Sequence, residues 1–208
     1  EAIVVICVKP QLFPTVVSKL PPNCLSDCPL LVSIMAGLTT STLSSAIINL
    51  GYKEPVVRLM PSVPCQIGQS ASLITFSCSE QEVGLDTVTR LASTAGSYTI
   101  LDERLFDAAS AVSSCGPAFV YILIEALADG GVYAGLPRQK ALSLATQTFL
   151  GAAKMVQETG KHPGLLKDEV CSGGGTTIAG VRELERAGVR SGLIEAVRAA
   201  SERAKTLS

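Results

Sequence analysis

Ala2-Ile3-Val4-Val5-Ile6-Cys7-Val8 is an uninterrupted apolar run, followed at once by Lys9-Pro10-Gln11. A run of this kind, with no polar residue marking a solvent face, is what a buried parallel strand shows. Two more strand-like runs follow, Leu30–Met35 and Val56–Met60, and helical patterns at Gln11–Lys19 and Ser41–Leu50 separate the three. That is the α/β rhythm of a parallel sheet. Ser72–Phe76 and Ser97–Leu101 suggest a further pair of strands flanking a helix near Gln81–Ser93. After Asp102 the character changes. Asp102 can cap a helix with Glu103 in its first turn, and no β-rich alternation returns beyond it. The predicted organisation is α/β plus all-α, with a sheet domain over residues 1–101 and a helical domain over 102–208.

In the helical part, Pro117 to Val132 is apolar around most of its circumference, the mark of a buried helix, and Gly130-Gly131 is expected to end or loosen it. Pro137 opens the next helix at its first position, with Ala141, Leu142, Ala145, Phe149, Ala152 and Val156 at three- and four-residue steps and Gly160 as its C-cap. A last helix over Ser191–Leu207 sets Glu195, Arg198, Glu202 and Arg203 on an exposed face. Helices this apolar in so small a domain bury against more than themselves, which predicts a dimer.

With 208 residues, 47% of them hydrophobic, and a formal net charge of −1, the chain can bury a sizeable core and has no electrostatic reason to seek nucleic acid or an anionic membrane. Small molecules and further copies of itself are the expected partners. The strongly apolar stretch Pro117–Ile124 stops at Glu125, short of a membrane span. Seven cysteines, Cys7, Cys24, Cys28, Cys65, Cys78, Cys115 and Cys171, are scattered and odd in number. Cys24-x₃-Cys28 has no second pair or neighbouring His, so no metal site is expected and the thiols read as reduced, in an intracellular compartment.

The chemistry concentrates between His162 and Gly180, where Gly173-Gly174-Gly175 runs into Thr176-Thr177 at a helix start carried by Ile178, Val181, Leu184 and Ala187. Glycines leave backbone N–H groups unshielded, and a helix start adds unpaired donors and the positive end of its dipole, so a carboxylate or phosphate fits there. A glycine-rich turn with Thr as its N-cap accounts for the same glycines.

The whole segment resembles the C-terminal signature of the pyrroline-5-carboxylate reductases, the last enzymes of proline biosynthesis. His-Pro-x-x-Leu-Lys-Asp, Ser-x-Gly-Gly-x-Thr-Ile and Leu184-Glu185 stand here in that order. Gly130-Gly131-Val132, Gly135-Leu136-Pro137, Ala145-Thr146-Gln147 and Gly151-Ala152-Ala153-Lys154-Met155 extend the likeness upstream, as do Lys9-Pro10-Gln11, Met35-Ala36-Gly37-Leu38-Thr39, Arg58-Leu59-Met60-Pro61 and Gly116-Pro117-Ala118-Phe119. The resemblance implies a partial Rossmann-type parallel-sheet domain followed by a helical dimerisation domain, and hydride transfer from NADPH or NADH to the imine of 1-pyrroline-5-carboxylate, giving L-proline. It assigns the substrate carboxylate to Gly174, Gly175 and the N–H groups of Thr176 and Thr177, with the Thr177 hydroxyl near the ring nitrogen as the catalytic group. It assigns the cofactor to Cys7, Val8, Lys9 and Pro10, to Ile34, Met35 and Ala36, and to Glu103 and Glu169. It also implies a homo-oligomer through the helical domain.

Positioning dominates such a reaction, because an imine nitrogen can be protonated before hydride transfer. The single histidine, His162, therefore reads as a structural loop residue, hydrogen-bonded before Pro163. Three positions depart from the family pattern: Ser62 replaces the Asn of Met-Pro-Asn, Ser114-Cys115-Gly116 replaces Gly-Ser-Gly, and Gly160 stands where some members carry Glu. The family's Gly-x-Gly-x-x-Ala/Gly turn does not precede Ala2–Val8. The expectation is a sheet with an open edge beside that run, a chain that dimerises through Glu103–Ser208, and weak dinucleotide binding or none. The alternatives are a truncated non-catalytic homologue acting as an assembly partner, and a two-domain dehydrogenase of another small carboxylate. A cytoplasmic location is expected, with a mitochondrial one left open.

Overall fold

Leu31, Val32 and Ser33 of β2 (Leu31–Ser33) are all buried, because β2 is flanked by a parallel neighbour on each side, β1 (Val4–Ile6) and β3 (Val56–Met60). The computed structural model describes residues 3–77 and 84–206. Between β1 and β2 lie a 3-10 turn at Pro10–Leu12 and α1 (Phe13–Lys19), and between β2 and β3 lie α2 (Thr40–Ile47) and a second 3-10 turn at Ile48–Leu50. The predicted helix over Gln11–Lys19 is thus partly 3-10, as is the end of the one over Ser41–Leu50.

The sheet continues through β4 (Ser70–Phe76) and β5 (Gly96–Ile100) in the order β1-β2-β3-β4-β5. It is not parallel throughout. β3 and β4 pair antiparallel, Met60 opposite Leu73, whereas β4 and β5 pair parallel. The reason is the connection, a short 3-10 segment at Val63–Ile67, where a parallel return needs roughly a dozen residues or more. α3 (Leu85–Ala95) supplies such a crossover between β4 and β5. The start predicted for this helix, Gln81–Val83, lies outside the described residues.

Side chains alternate across the sheet. Val4, Ile6, Val8, Leu31 and Val56 meet Phe13 of α1 and Leu43 and Ile47 of α2, whereas Leu30, Val32, Val57, Leu59 and Ile74 meet Val88 and Ala92 of α3. Helices therefore cover both faces, as an α/β layer arrangement requires. The opening run is less buried than its composition predicts. β1 is an edge strand, and Ile3 and Val5 are 46% and 43% exposed, because only the alternate residues point at α1. Among the described residues no strand pairs with the outer side of β1.

Tyr52 locks β2 into this arrangement. Its hydroxyl accepts the Leu31 N–H at 2.8 Å and donates to the Pro55 carbonyl at 3.1 Å. Burial, the largest effect, pushes the phenol from 10.0 up to about 12. The raised value means that the fold favours the neutral phenol, so this stabilisation is complete below pH 10 and lost as pH rises through about 12. Tyr52→Phe strands the Leu31 N–H at the start of a buried strand and should cost about 1–3 kcal/mol, read as a lower urea midpoint at neutral pH. An unchanged midpoint would remove Tyr52 from the account of β2.

Beyond β5 the chain is helical: α4 (Glu103–Ser113), α5 (Gly116–Tyr133), α6 (Arg138–Thr159), α7 (Pro163–Val170), α8 (Thr176–Arg186) and α9 (Val189–Lys205). Asp102 caps α4 as predicted, its Oδ1 accepting the Arg104 N–H at 2.8 Å. α5 runs through Gly130-Gly131 instead of ending there, since a Cβ at Gly131 would lie 3.2 Å from Ala141 Cβ of α6 and the glycine serves that close approach. Pro137 occupies the N-cap of α6 with Arg138 at the first helical position, and Gly160 is its C-cap. The exposed face expected on the last helix carries an Arg198–Glu202 pair at 3.3 Å.

The chain divides into two compact units, Glu1–Pro117 with Val197–Ser208, and Ala118–Ala196. The second has a slight core of its own. Among its described residues only Ala128, Ala141 and Ala145 are fully buried hydrophobics, while Tyr121, Ile122, Leu127, Leu144 and Leu150 are exposed. The helical run Glu103–Tyr133 is long and apolar enough, by length and composition alone, to cross a membrane. A face that a second copy covers passes the same test.

Candidate functional site

Two groups of predicted site residues become neighbours through strand pairing. Cys7, Val8, Lys9 and Pro10 follow β1, Ile34, Met35 and Ala36 follow β2, and the parallel register puts both segments at the same end of the sheet. The Ile34 N–H donates to the Ile6 carbonyl at 3.1 Å, which extends the ladder into the loops. Ligands of open α/β sheets bind at this carboxyl end. Cys7, Lys9 and Ala36 are exposed there, whereas Met35 is buried beneath them in the core. Lys9 caps the Pro10–Leu12 turn through its backbone and makes no side-chain capping bond.

Glu103 reaches the same region by another route. As the first residue of α4 it extends Oε1 to the Arg58 guanidinium and accepts the Thr40 N–H on Oε2 at 3.2 Å. Thr40 begins α2, four residues after Ala36. Both carboxylate oxygens are thereby engaged within the protein. Ser62, two residues after β3, is buried, and its hydroxyl accepts the Ala71 N–H at 3.1 Å while its own N–H donates to Ser70 Oγ at 2.9 Å.

The glycine loop belongs to the helical unit. Gly175 is the N-cap of α8 in an extended conformation and, lacking a side chain, offers no capping bond, so the N–H groups of Thr176 and Thr177 in the first turn have no side-chain acceptor among the described residues. Other helices are capped: Thr39 caps α2, Asp102 caps α4, and His162 Nδ1 accepts the Gly164 N–H at 3.1 Å to cap α7. Thr therefore does not cap α8. Gly174 has φ +68°, a left-handed conformation that folds the loop back on itself, and the Gly175 N–H closes the turn on the Ser172 carbonyl at 3.1 Å. A Cβ at Gly175 would lie 2.4 Å from Ser172 Oγ, so that position admits only glycine without displacing the serine. At the second helical position Thr177 has no preceding turn to bond, unlike Thr146, Thr148 and Thr159, whose hydroxyls donate to the carbonyl four residues back.

Glu169 lies near the C-terminal end of α7 and pairs with Lys161 at 2.6 Å, both about half exposed. α7 itself was missed in the sequence, where His162-Pro163 reads as a loop. Arg58 and Thr40 were missed as well. A lone arginine inside an otherwise apolar strand is a signal that could have pointed to a buried acid.

Residues 103–207 match the family model described as pyrroline-5-carboxylate reductase dimerisation. Over 206 residues the chain is 48% identical to the pyrroline-5-carboxylate reductase of Glycine max, covering 99% of this chain and 73% of that protein. The chain belongs to the pyrroline-5-carboxylate reductase family. A structure of the Plasmodium falciparum pyrroline carboxylate reductase with NADP bound superposes with a TM-score of 0.89 at 32% identity, covering 100% of this chain and 82% of that one. The 1-pyrroline-5-carboxylate reductase of Streptococcus pyogenes gives 0.84 at 34% identity, covering 98% and 76%. Membership in this reductase family accounts for the exposed apolar surface of α5 and α6. It lies inside the dimerisation match, and the protein is a homo-oligomer.

Proposed function

We propose that the protein reduces 1-pyrroline-5-carboxylate to L-proline at the expense of NADPH or NADH. The observation that carries this reading is the uncapped start of α8, where a glycine turn presents the Thr176 and Thr177 N–H groups, in a chain 48% identical to a reductase over nearly its full length. Gly174, Gly175, Thr176 and Thr177 hold the substrate carboxylate by backbone donors and the helix dipole. The Thr177 hydroxyl orients the ring nitrogen, which carries the proton that balances the incoming hydride. The imine carbon gains the hydride, the C=N bond becomes single, and the nitrogen keeps its proton. No acid stronger than the protonated imine is needed, in keeping with a single histidine spent on capping α7.

The exposed loops at the sheet's carboxyl end fit a dinucleotide, since they offer backbone groups beside the exposed Lys9, whose side chain makes no capping bond. Cys7, Val8, Lys9 and Pro10 with Ile34, Met35 and Ala36 would hold it. When bound, reduced nicotinamide supplies the hydride. The functional division falls between residues 101 and 102, with dinucleotide binding before it and dimerisation and substrate binding after, in a cytoplasmic protein.

The purified protein supplied with pyrroline-5-carboxylate and either reduced dinucleotide should consume nicotinamide absorbance and accumulate proline in equal amounts. Proline failing to form with both dinucleotides overturns the proposal.

A further inference from the structure

Arg58 is the one charged residue of β3, is 3% exposed, and points to the same side of the sheet as Val56. A guanidinium so buried is costly unless paired. The Phe106 ring lies 4.0 Å from its Cζ, Nη1 donates to Glu103, and Nε has no partner among the described residues. Glu103 is thus held from below by an arginine that cannot move to water. Its other oxygen meets the first N–H of α2, where a helix presents unpaired donors and positive potential.

The segment between β2 and α2 is consequently fastened at both ends. Ile34 is tied to Ile6 at one end, and Thr40 to Glu103 at the other, with Met35 anchored between them by its N–H on Ser33 Oγ at 3.3 Å. Resting on the dinucleotide reading above, the geometry points to Arg58–Glu103 as a latch that positions the Ile34–Thr40 wall of the cofactor cleft through Thr40, with the Glu103 carboxylate serving as the internal anion of the α2 N-terminus. Glu103 is then a positioning residue. A dinucleotide phosphate has no place at that helix start, because the carboxylate already fills it.

Two variants and two readouts test the latch. Glu103→Gln retains an oxygen for the Thr40 N–H, whereas Arg58→Met with Glu103→Leu removes both charges together and leaves no buried ion stranded. In the double variant the Thr40 amide should exchange with solvent at least about tenfold faster, and KM for NADPH should rise about tenfold, with kcat and KM for pyrroline-5-carboxylate within about twofold of wild type. Glu103→Gln should show both effects in part, because its single oxygen cannot serve both the Thr40 N–H and Arg58, which is left without its counter-charge. Exchange at Thr40 equal to wild type in the double variant overturns the latch, as does an unmoved KM for NADPH. A wild-type protein that forms no proline strikes the proposed function instead, and the Thr40 exchange rate then decides the latch alone.

Discussion

Thr177→Ala should lower kcat/KM for pyrroline-5-carboxylate by about tenfold to a hundredfold, the worth of one hydrogen bond to a charged group at about 1.5–3 kcal/mol. The effect should fall on turnover, because the hydroxyl orients the protonated imine for hydride transfer, whereas the Thr176 and Thr177 N–H groups that hold the carboxylate survive the change. Thr177→Ser keeps the hydroxyl and should keep most of the rate. The dimer should be untouched, since the substitution removes only a hydroxyl and a methyl in the first turn of α8 and leaves the exposed apolar side chains of α5 and α6 as they are. Steady-state kinetics with sedimentation on the same samples separate the two effects. A Thr177→Ala protein with wild-type kcat/KM would sink the assignment of this residue.

Gly96→Ala should be the most destabilising single-atom addition in the sheet. Gly96 opens β5 directly from α3 with φ +144° and ψ −141°, a conformation essentially reserved to glycine. An added Cβ would lie 2.3 Å from the Ser70 N and 2.4 Å from the Ser70 O, both backbone atoms of the paired strand. Neither can yield without parting β4 from β5. The cost should reach about 3 kcal/mol or more, read as a lower denaturant midpoint. Its reach should extend further, because β5 leads straight into Asp102 and Glu103, so the Thr40 amide should lose protection in the same variant. A midpoint within experimental error of wild type would show that the strand pair accommodates a side chain there.

The features legible in the sequence are those set by near neighbours. Apolar runs marked β1, β2 and β3, the three- and four-residue spacing of Ala141, Ala145 and Phe149 marked α6, Asp102 announced α4, and Gly160 marked the end of α6. The glycine turn at Gly173–Gly175 before α8 was legible because its geometry is local to the turn. α7 escaped because Leu165, Leu166 and Val170 are too few for a periodic stripe, and its cap, a histidine nitrogen, is not among the usual capping side chains. The antiparallel entry of β4 was decided by the length of the Val63–Ile67 connection, which strand patterns do not measure. The Arg58–Glu103–Thr40 set was decided by the tertiary structure alone. Its members are 45 and 63 residues apart, and only the stacking of β2 beside β3, with α4 returning over the sheet, brings one carboxylate within reach of both. Hydrogen bonds and ion pairs act over a few ångströms, so a chain encodes them locally only when their partners are adjacent. Here the sheet supplies the adjacency.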